Sequence, residues 1–276
     1  MSQYNFPRDS SYEHDSATLA DAFFNAHYTK VWRLKKWSPE RLAISEAYQV
    51  QNQVCEKRIS RGESVVGYKV GCTSHAIWSQ LGLAEPIAAR LFAPHVTGER
   101  IAIDLTAYCH CAIEPEMVLM IGQDLCGTDL SDEELIQSIS YVSPGIELHD
   151  YTFWHEPPTA QELICSGGIH AGLIVGDTKV SPCALTFGRE NFFVYQNNEL
   201  VASSRADEIM GGPLESLRWL VSFLSGNDEV LKKGMLVIPG SPTELISIAG
   251  ESRVRVEIDN LGQVETTFRS QSPSPR

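Results

Sequence analysis

The sequence predicts an α+β fold with a β-rich body, and two observations support this prediction. Segments with helical periodicity cluster early in the chain, whereas short apolar runs rich in β-branched residues dominate the later part. The two kinds of segment do not alternate as they do in a sheet built from βαβ units. We therefore expect a helical N-terminal region followed by a body made mainly of strands.

The predicted helices rest on apolar spacing and on the capping residues at their ends. Leu19, Phe23 and Ala26 lie on one face of a first amphipathic helix. A second helix begins near Ser45 and ends at Gly62. Three further helices are expected from the cap residue Ser74 to Gly82, from the capping box Ser131/Glu134 to about Ile139, and over Leu214–Leu224.

The predicted strands are short runs of branched apolar and aromatic residues between turn residues. They are Ser64–Val70, Glu114–Ile121, Gly145–Leu148, Gly172–Val175, Phe192–Tyr195, Met235–Ile238, Arg253–Ile258 and Gln263–Phe268. We predict one domain over residues 16–269, of which 16–62 form the helical part. Residues 1–15 and 270–276 are expected to be disordered because they are polar, and the tail alternates Ser with Pro.

Composition excludes some classes of partner. The 276 residues include 22 Lys and Arg against 35 Asp and Glu, and the resulting charge of −13 disfavours nucleic acid and anionic membranes. No apolar run is long enough to cross a bilayer, and the N-terminus lacks the apolar core of a secretory signal. Seven scattered cysteines, an odd number, fit reduced thiols better than a disulfide framework. We therefore expect a cytoplasmic protein.

The segment Cys111–Gly122 places two carboxylates in front of an apolar run. In a strand, residues i and i+2 project from the same face, so Glu114 and Glu116 would lie side by side. Adjacent carboxylates repel each other and lose hydration, and a hard divalent cation would relieve both costs. The alternative is a pair of solvent-facing glutamates on an edge strand, a position that would also suit Pro115.

A third acid, Glu147, lies in a short apolar run, where an unpaired charge is costly. Taken alone, Glu147 would indicate a buried salt bridge. Taken with Glu114 and Glu116, the better account is one cation site made of three carboxylates. His149 and Asp150 follow directly, and we interpret them as a polar strand end rather than as a second layer around the cation.

Lys69 lies inside the glycine-flanked apolar run Gly67–Gly71. Lysine is rarely buried without a partner, and for most lysines the amine reaches the surface along its apolar stem. The flanking glycines would allow the backbone to approach a ligand closely. We therefore predict that Lys69 binds or protonates an anionic substrate.

Other candidates for chemistry are weaker. Cys109, His110 and Cys111 look like a soft-metal fragment, but the sequence lacks a second Cys/His pair at zinc spacing. His110 could instead line the pocket of the two glutamates. Cys165 lacks the strand–elbow–helix frame of a hydrolase nucleophile. The turn over Gly240–Thr243 could border the site.

In their order along the chain, Lys69, Glu114, Glu116 and Glu147 resemble the 2-keto-4-pentenoate hydratase and 4-oxalocrotonate decarboxylase group of the fumarylacetoacetate hydrolase superfamily. The resemblance extends from about residue 19 to residue 268. It includes residues 47–51, 62–71 and 213–220, the turn over 240–243, and the last pair of predicted strands.

This resemblance implies a mixed β-sandwich roll of the fumarylacetoacetase C-terminal type, with helices packed outside, and a homo-oligomer. It implies a Mg²⁺ or Mn²⁺ ion held by Glu114, Glu116 and Glu147, which chelates the 2-oxo-carboxylate of a small substrate. Lys69 would hold the substrate carboxylate or move a proton along the dienol. The substrate-binding residues are expected to be Ser74, Ser166, His170 and Ser241.

The activity implied first is hydration of a 2-hydroxy-2,4-dienoate to a 4-hydroxy-2-oxo acid. Hydratases of this group usually carry Asp-Asn where this chain has Ser166-Gly167, and Pro-Asp where it has Pro86-Ile87. The Pro-Ile form looks more like the decarboxylases, so decarboxylation of a 4-oxalocrotonate-like diacid is the alternative. A partner subunit with altered or lost activity is another.

A hydrolase of C–C bonds is disfavoured by the same resemblance. Such enzymes of the superfamily tend to use a His–Glu pair from an early loop. Here His75 and His95 are the histidines of that region, and neither is followed by a fitting acid.

Overall fold

A computed structural model describes residues 15–34, 38–150 and 157–270 of the chain. Apart from Asp15 and Ser270, the two segments expected to be disordered lie outside these ranges, so their disorder stays a prediction. The Asp15 carboxylate caps the first helix by accepting a hydrogen bond from Thr18 N at 2.7 Å.

Six α-helices lie in the described ranges. They are α1 (Ser16–Thr29), α2 (Ile44–Ser60), α3 (His75–Leu81), α4 (Asp132–Ser138), α5 (Ala160–Cys165) and α6 (Pro213–Gly226). The five predicted helices are confirmed, together with the cap Ser74 and the capping box Ser131/Glu134. Helix α5 is not predicted, because its six residues are too few to display an apolar period, although a capping box opens it.

Thirteen strands lie in the same ranges. They are β1 (Val65–Gly71), β2 (Ile87–Phe92), β3 (Val96–Gly98), β4 (Ala102–Asp104), β5 (Cys111–Ile121), β6 (Ile139–Asp150), β7 (His170–Val175), β8 (Asn191–Gln196), β9 (Glu199–Arg205), β10 (Leu236–Ile238), β11 (Ile246–Ser247), β12 (Ser252–Ile258) and β13 (Gly262–Arg269). All eight predicted strands are confirmed. The prediction omits β2, β3, β4, β9 and β11. Three of these, β3, β4 and β11, have only two or three residues, and the side chains of β9 are mostly exposed, so these four carry little apolar signal.

The strands form two mixed sheets. The larger sheet has the order β2-β1-β10-β5-β6-β7-β3, with β11 also paired to β5, and the smaller has the order β4-β13-β12-β8-β9. Parallel pairs join β1 to β10, β3 to β7 and β4 to β13, whereas the other pairs are antiparallel. The predicted α+β roll with a mixed curled sheet and N-terminal helices is therefore confirmed.

The alternation of side chains along β5 separates the core from the site. Ile113, Met117 and Leu119 belong to the main buried cluster, which also includes Val256 of β12 and Phe268 of β13. The even-numbered glutamates of β5 project from the opposite face of the strand. Burial of one face therefore sets the register that presents the carboxylates on the other.

The N-terminal helices cover the β2 edge of the larger sheet. The buried Gln51 side chain of α2 donates hydrogen bonds to Ala88 O of β2 at 3.0 Å and to Ile164 O of α5 at 2.8 Å. The Tyr48 hydroxyl accepts a hydrogen bond from Ala88 N at 3.1 Å. These side chains satisfy backbone groups that an edge strand would otherwise expose.

The alternative of an edge strand at Pro115 is wrong, since β5 lies between β10 and β6. On the side away from β6, β10 pairs with residues 119–120 of β5 and β11 pairs with residues 112–113. Residue 115 falls in the gap between these two short ladders. A proline is tolerated in this central strand because that position needs no backbone donor.

In the part of the chain that the structure describes, no helix is long and apolar enough to traverse a bilayer.

Candidate metal centre

The centre is built on one face of the antiparallel pair β5–β6. Glu114 lies directly opposite Glu147, and Glu116 lies opposite Gly145. Directly opposed residues have Cβ atoms about 5 Å apart. Glu114 and Glu116 lie two positions apart on β5, so their side chains project from the same face. The pairing register therefore brings together the three carboxylates that the sequence singles out.

His149 lies in the next row of the same face, opposite Ala112. Its Nε2 is 2.9 Å from Glu114 Oε2 and 3.4 Å from Glu147 Oε2. These three side chains offer ligand atoms that all lie within 4.8 Å of one another, so they could hold a metal ion. Glu116 shares their face of the sheet but falls outside this tight group.

Lys69 reaches the centre from β1. Its Nζ is 2.6 Å from Glu147 Oε1 and donates a second hydrogen bond to Gly168 O at 3.3 Å. Only 2% of Lys69 is exposed, so the alternative of an amine that reaches the surface is wrong. In the order of the sheet, β10 and β5 lie between β1 and β6. Lys69 therefore reaches Glu147 only because the sheet is curled.

Gly168 lies in the turn between α5 and β7, where two consecutive glycines have φ of +73° and +69°. A Cβ at Gly168 would lie 3.2 Å from Lys69 Cε and 3.3 Å from Lys69 Nζ. Glycine is needed at this position because both the left-handed backbone and the close lysine disfavour a side chain.

His170, the first residue of β7, places its ring against the same carboxylate as Lys69. Its Nδ1 is 2.7 Å from Glu147 Oε1. Among the described residues its Nε2 has no hydrogen-bond partner, and the ring borders a small cavity that Ser166 and Arg58 also line. Of the four expected substrate-binding residues, His170 is the one in direct contact with the carboxylate group.

Glu116 carries the clearest sign of an unmet interaction. The residue is fully buried, and its Oε2 accepts a hydrogen bond from Gly240 N at 3.2 Å. Its Oε1 is buried without a hydrogen-bond partner in the described part of the chain. A buried carboxylate oxygen with no donor is costly unless an electropositive group faces it.

The two buried glutamates titrate in opposite directions. Burial raises the pKa of Glu116, and the charges of Glu147 and Glu114 raise it further, to well above the ordinary value. Burial also opposes ionisation of Glu147, but His149 and Lys69 outweigh it and hold the pKa of Glu147 well below the ordinary value. Glu147 is therefore the fixed anion of the cluster.

The pKa values of the three basic groups also shift in different directions. Burial lowers the pKa of His149, but the charges of Glu147 and Glu114 outweigh burial and raise it to about 9. For Lys69, burial is likewise outweighed by Glu147 and Glu114, and the pKa is raised. Burial wins at His170, whose pKa falls to about 4 although Glu147 opposes the shift. His170 is therefore neutral near pH 7.

These residues fit a divalent cation. The donors are carboxylate oxygens and an imidazole, which are ordinary metal ligands in proteins. The partnerless Glu116 Oε1 and the mutual repulsion of Glu114, Glu116 and Glu147 would both be relieved by a cation. The donor set that the structure groups most tightly, Glu114, Glu147 and His149, differs from the expected set of three glutamates.

The three expected serines lie in turns near the centre. Ser74 accepts a hydrogen bond from Ile77 N at 3.3 Å as the cap of α3. Ser166 accepts from Ile169 N at 3.2 Å at the end of α5. Ser241 accepts from Thr243 N at 3.2 Å, directly after the glycine whose amide faces Glu116. Their hydroxyls support local backbone, and a role in substrate binding stays a prediction.

Two histidines named in the sequence analysis lie away from the carboxylates. His110 precedes β5 and is exposed. His95 Nε2 lies 3.5 Å from His27 Nε2 of α1, on the helical side of the sheet. Of His75, the other histidine considered for a hydrolase, the side chain lies outside the described part of the structure.

His149 is the site residue that the sequence analysis missed. Its neighbour Asp150 points elsewhere, since it accepts from Cys109 N at 2.9 Å and pairs with Lys30 Nζ at 3.1 Å. A signal was present, because Glu147 and His149 repeat the i, i+2 spacing of Glu114 and Glu116. The turn over Gly240–Thr243 was expected to border the site and its Gly240 amide contacts Glu116, whereas the Gly168 carbonyl had no comparable signal.

Comparison with known proteins adds relatives at moderate identity, while no family model matches the chain. A 2-keto-4-pentenoate hydratase of Paraburkholderia xenovorans strain LB400 is 27% identical over 232 residues, which cover 82% of this chain and 84% of that protein. A 4-oxalocrotonate decarboxylase of a Pseudomonas species is 27% identical over 230 residues, which cover 82% of this chain and 87% of that protein.

Solved structures share the fold. The 4-oxalocrotonate decarboxylase from Pseudomonas putida G7, complexed with magnesium and adipate, superposes with a TM-score of 0.86 at 23% identity, over 92% of this chain and 97% of that chain. The fumarylpyruvate hydrolase from Pseudomonas aeruginosa, in complex with Mn²⁺ and pyruvate, gives a TM-score of 0.57 at 19% identity, over 74% and 89%.

Proposed function

Because the chain is a member of the fumarylacetoacetate hydrolase superfamily, close to 2-keto-4-pentenoate hydratases and 4-oxalocrotonate decarboxylase, we propose that it is a divalent-metal-dependent lyase of a small 2-oxo acid. The observation that carries this proposal is the buried carboxylate cluster of β5 and β6, with Lys69 against Glu147 at 2.6 Å. We propose hydration of a 2-hydroxy-2,4-dienoate as the reaction.

A cation in this cluster would polarise the 2-oxo group and stabilise negative charge on its oxygen. We propose that Glu114, Glu116, Glu147 and His149 surround it. These donors project from one face of the sheet, and the two oxygens of a 2-oxo-carboxylate would add to them as ligands. Apolar burial on the core side of β5 keeps the ligands in place.

Lys69 is proposed to bind the substrate carboxylate and to move a proton along the dienol. Its ammonium is buried and charged, because Glu147 and Glu114 outweigh the effect of burial on its pKa. A charged donor held at a fixed place serves both to orient an anion and to protonate carbon in a general-acid step. The Gly168 carbonyl and Glu147 fix the direction of its N–H bonds.

His170 is proposed to contact the substrate through its ring. Its ring is neutral near pH 7, and one ring nitrogen has no partner among the described residues. Ser74, Ser166 and Ser241 are proposed to contribute polar contacts to the substrate from the turns around the centre.

The alternative reaction is decarboxylation of a 4-oxalocrotonate-like diacid. It is favoured by Ser166-Gly167 and Pro86-Ile87, where the hydratases of the group carry other residues. Ile87 opens β2 directly opposite Gly71, so this difference lies within the same sheet as Lys69. The same polarised 2-oxo group would serve loss of CO₂, and the pocket around it would decide which reaction occurs.

A direct assay tests the proposal. The protein is incubated with Mg²⁺ or Mn²⁺ and either 2-hydroxypenta-2,4-dienoate or the 2-hydroxymuconate-type diacid, while loss of dienol absorbance and release of CO₂ are followed together. We expect dienol loss without CO₂. Release of CO₂ would assign the decarboxylase reaction instead, and absence of both signals in metal-loaded protein would overturn both assignments.

Binding of metal separates an enzyme from a partner subunit that has lost activity. An active lyase of this kind must bind a divalent cation at the carboxylates, whereas a scaffold need not. We expect titration calorimetry to detect one site for each chain, with binding lost when Glu147 is replaced by Gln.

A further inference from the structure

We propose that His149 ligates the cation through Nε2, so that the centre is a mixed oxygen–nitrogen site that prefers Mn²⁺ or a later first-row ion to Mg²⁺. The inference deepens the proposed function and rests on it, because it assumes that a cation binds between β5 and β6. It narrows the expected cofactor, since the all-carboxylate site indicated by the sequence would accept either Mg²⁺ or Mn²⁺.

The backbone places His149 among the ligands. It follows Glu147 by two residues on β6, so both side chains leave the same face of the strand. Across the strand pair, Glu114 is the diagonal neighbour of His149, within reach of a long side chain. Only 2% of His149 is exposed, and the ring has therefore left solvent to face two acids.

The distances suit a shared ion. Adjacent ligands of an octahedral ion with bonds of about 2.1 Å are separated by about 3.0 Å. His149 Nε2 lies 2.9 Å from Glu114 Oε2 and 3.4 Å from Glu147 Oε2. Three donor atoms that all lie within 4.8 Å of one another can occupy corners of a single coordination sphere.

A histidine acting only as a counter-ion would leave the cluster incomplete. Lys69 already supplies a buried cation to Glu147, and His149 contacts Glu114 and Glu147. Neither contact reaches Glu116 Oε1, which is buried without a hydrogen-bond partner among the described residues. A cation between the two strands would supply an electropositive partner to that oxygen.

The donor chemistry sets the preference. Mg²⁺ takes oxygen ligands and gives up its water reluctantly, whereas imidazole suits first-row transition ions. Affinity for a mixed site also rises along the series from Mn²⁺ towards Cu²⁺. One buried imidazole among carboxylates therefore favours these ions over Mg²⁺ while keeping enough oxygen donors for Mn²⁺.

Pulsed electron paramagnetic resonance of the Mn²⁺-loaded protein tests the proposal directly. We expect a ¹⁴N modulation from one coordinated imidazole, which changes to the ¹⁵N pattern in wild-type protein grown with ¹⁵N-histidine. The modulation should vanish in His149→Gln and persist in the matched control His170→Gln, whose ring contacts Glu147 without joining the tight donor group. The isotope experiment needs no variant, so a misfolded variant does not weaken the test.

Competition between metals gives a second readout. We expect Mn²⁺ to displace Mg²⁺ from the wild type, and His149→Gln to lower the Mn²⁺ affinity at least about tenfold with a smaller effect on Mg²⁺. Bound Mn²⁺ without nitrogen modulation would overturn this proposal and leave the proposed function standing. Failure to bind any divalent cation would overturn the proposed function as well.

Discussion

At the scale of single residues, the buried Glu116 and Glu147, diagonal neighbours on β5 and β6 at about 7–8 Å, behave in opposite ways because their partners differ. Glu147 receives Lys69 and two histidine rings, whereas Glu116 receives one backbone amide. The pKa of Glu147 is held well below its ordinary value, and that of Glu116 lies well above it. Near pH 7 the ionised Glu147 therefore raises the free energy of unfolding, whereas the buried Glu116 lowers it.

This difference predicts contrasting variants in EDTA at pH 7. A raised pKa means that folding must protonate Glu116, which costs stability above the unfolded pKa, so Glu116→Gln should leave the free energy of unfolding unchanged or raise it. Glu147→Gln removes the anion that neutralises buried Lys69 and should lower it by about 3 kcal/mol. Urea denaturation measures both. Equal destabilisation by the two variants would contradict the assignment.

At the scale of secondary-structure elements, the turn between α5 and β7 positions Lys69. Gly168 has φ of +69°, and a Cβ atom added there would lie 3.3 Å from Lys69 Nζ. Gly82, the C-cap of α3, has a similar φ of +66° but open space around that position. A side chain at Gly82 would therefore add backbone strain alone, whereas a side chain at Gly168 would add strain and a contact with Lys69.

We expect Gly168→Ala and Gly82→Ala to share a strain cost of about 1 kcal/mol. Only Gly168→Ala should displace the Lys69 ammonium, and its kcat should fall at least about tenfold while Gly82→Ala retains wild-type turnover. Steady-state kinetics together with urea denaturation check both parts. Similar turnover in the two variants would show that the turn does not hold Lys69 in its active position.

Helix α1 carries a second titratable group, His27, which lines a small cavity together with His170. Burial lowers the pKa of His27 well below its ordinary value, and the nearby cations Arg58 and Lys30 and the ring of His95 lower it further. His27 therefore binds a proton near pH 6.5 in the unfolded chain but stays neutral at that pH in the folded chain. Stability contributed by a neutral His27 is present above pH 6.5 and is lost as the pH falls below it.

We expect the wild type to lose about 1.4 kcal/mol more than His27→Gln between pH 7.5 and pH 5.5. The neighbouring His95 also has a lowered pKa, and because its ring contacts His27 the comparison measures the two histidines as a coupled pair. Urea denaturation at the two pH values measures the difference. The same pH dependence in both proteins would mean that His27 accepts a proton within the fold.

At the scale of the whole molecule, the proposed cation would link distant parts of the larger sheet. The site brings together Lys69 on β1, the glutamates of β5 and β6, and His170 on β7. In the order of the sheet these residues span five strands, from β1 to β7. A ligand that binds only the folded arrangement stabilises it by mass action. Stability should therefore report the metal independently of any substrate.

Removal of metal is expected to lower the melting temperature by about 5 °C or more relative to protein with Mn²⁺ at a hundredfold excess over Kd. Such an excess contributes about 2.7 kcal/mol, and each kcal/mol shifts a chain of this size by about 2 °C or more. Differential scanning calorimetry in EDTA and in Mn²⁺ measures the shift. Glu116→Gln is the control in which the shift should shrink, and an unchanged shift there would remove Glu116 from the centre.

The fold was predictable to the extent that its elements carry local signals. Capped helices such as α3 and α4 and apolar strands such as β5 are read from spacing, whereas β9 and the six-residue α5 carry too little period. Pro115 misled because proline usually marks an edge. Only the assembled sheet reveals the gap between β10 and β11 that accommodates it.

The sequence by itself determined that Glu114 and Glu116 share a face, that Glu147 lies in an apolar strand, and that Lys69 needs a partner, because these follow from local periodicity and from the cost of burying charge. The tertiary structure decided which partners they meet. The register of β5 against β6 brings His149 to Glu114, and the curl of the sheet carries Lys69 across two strands to Glu147. Such contacts depend on packing between segments far apart in the chain, on which local periodicity carries no information.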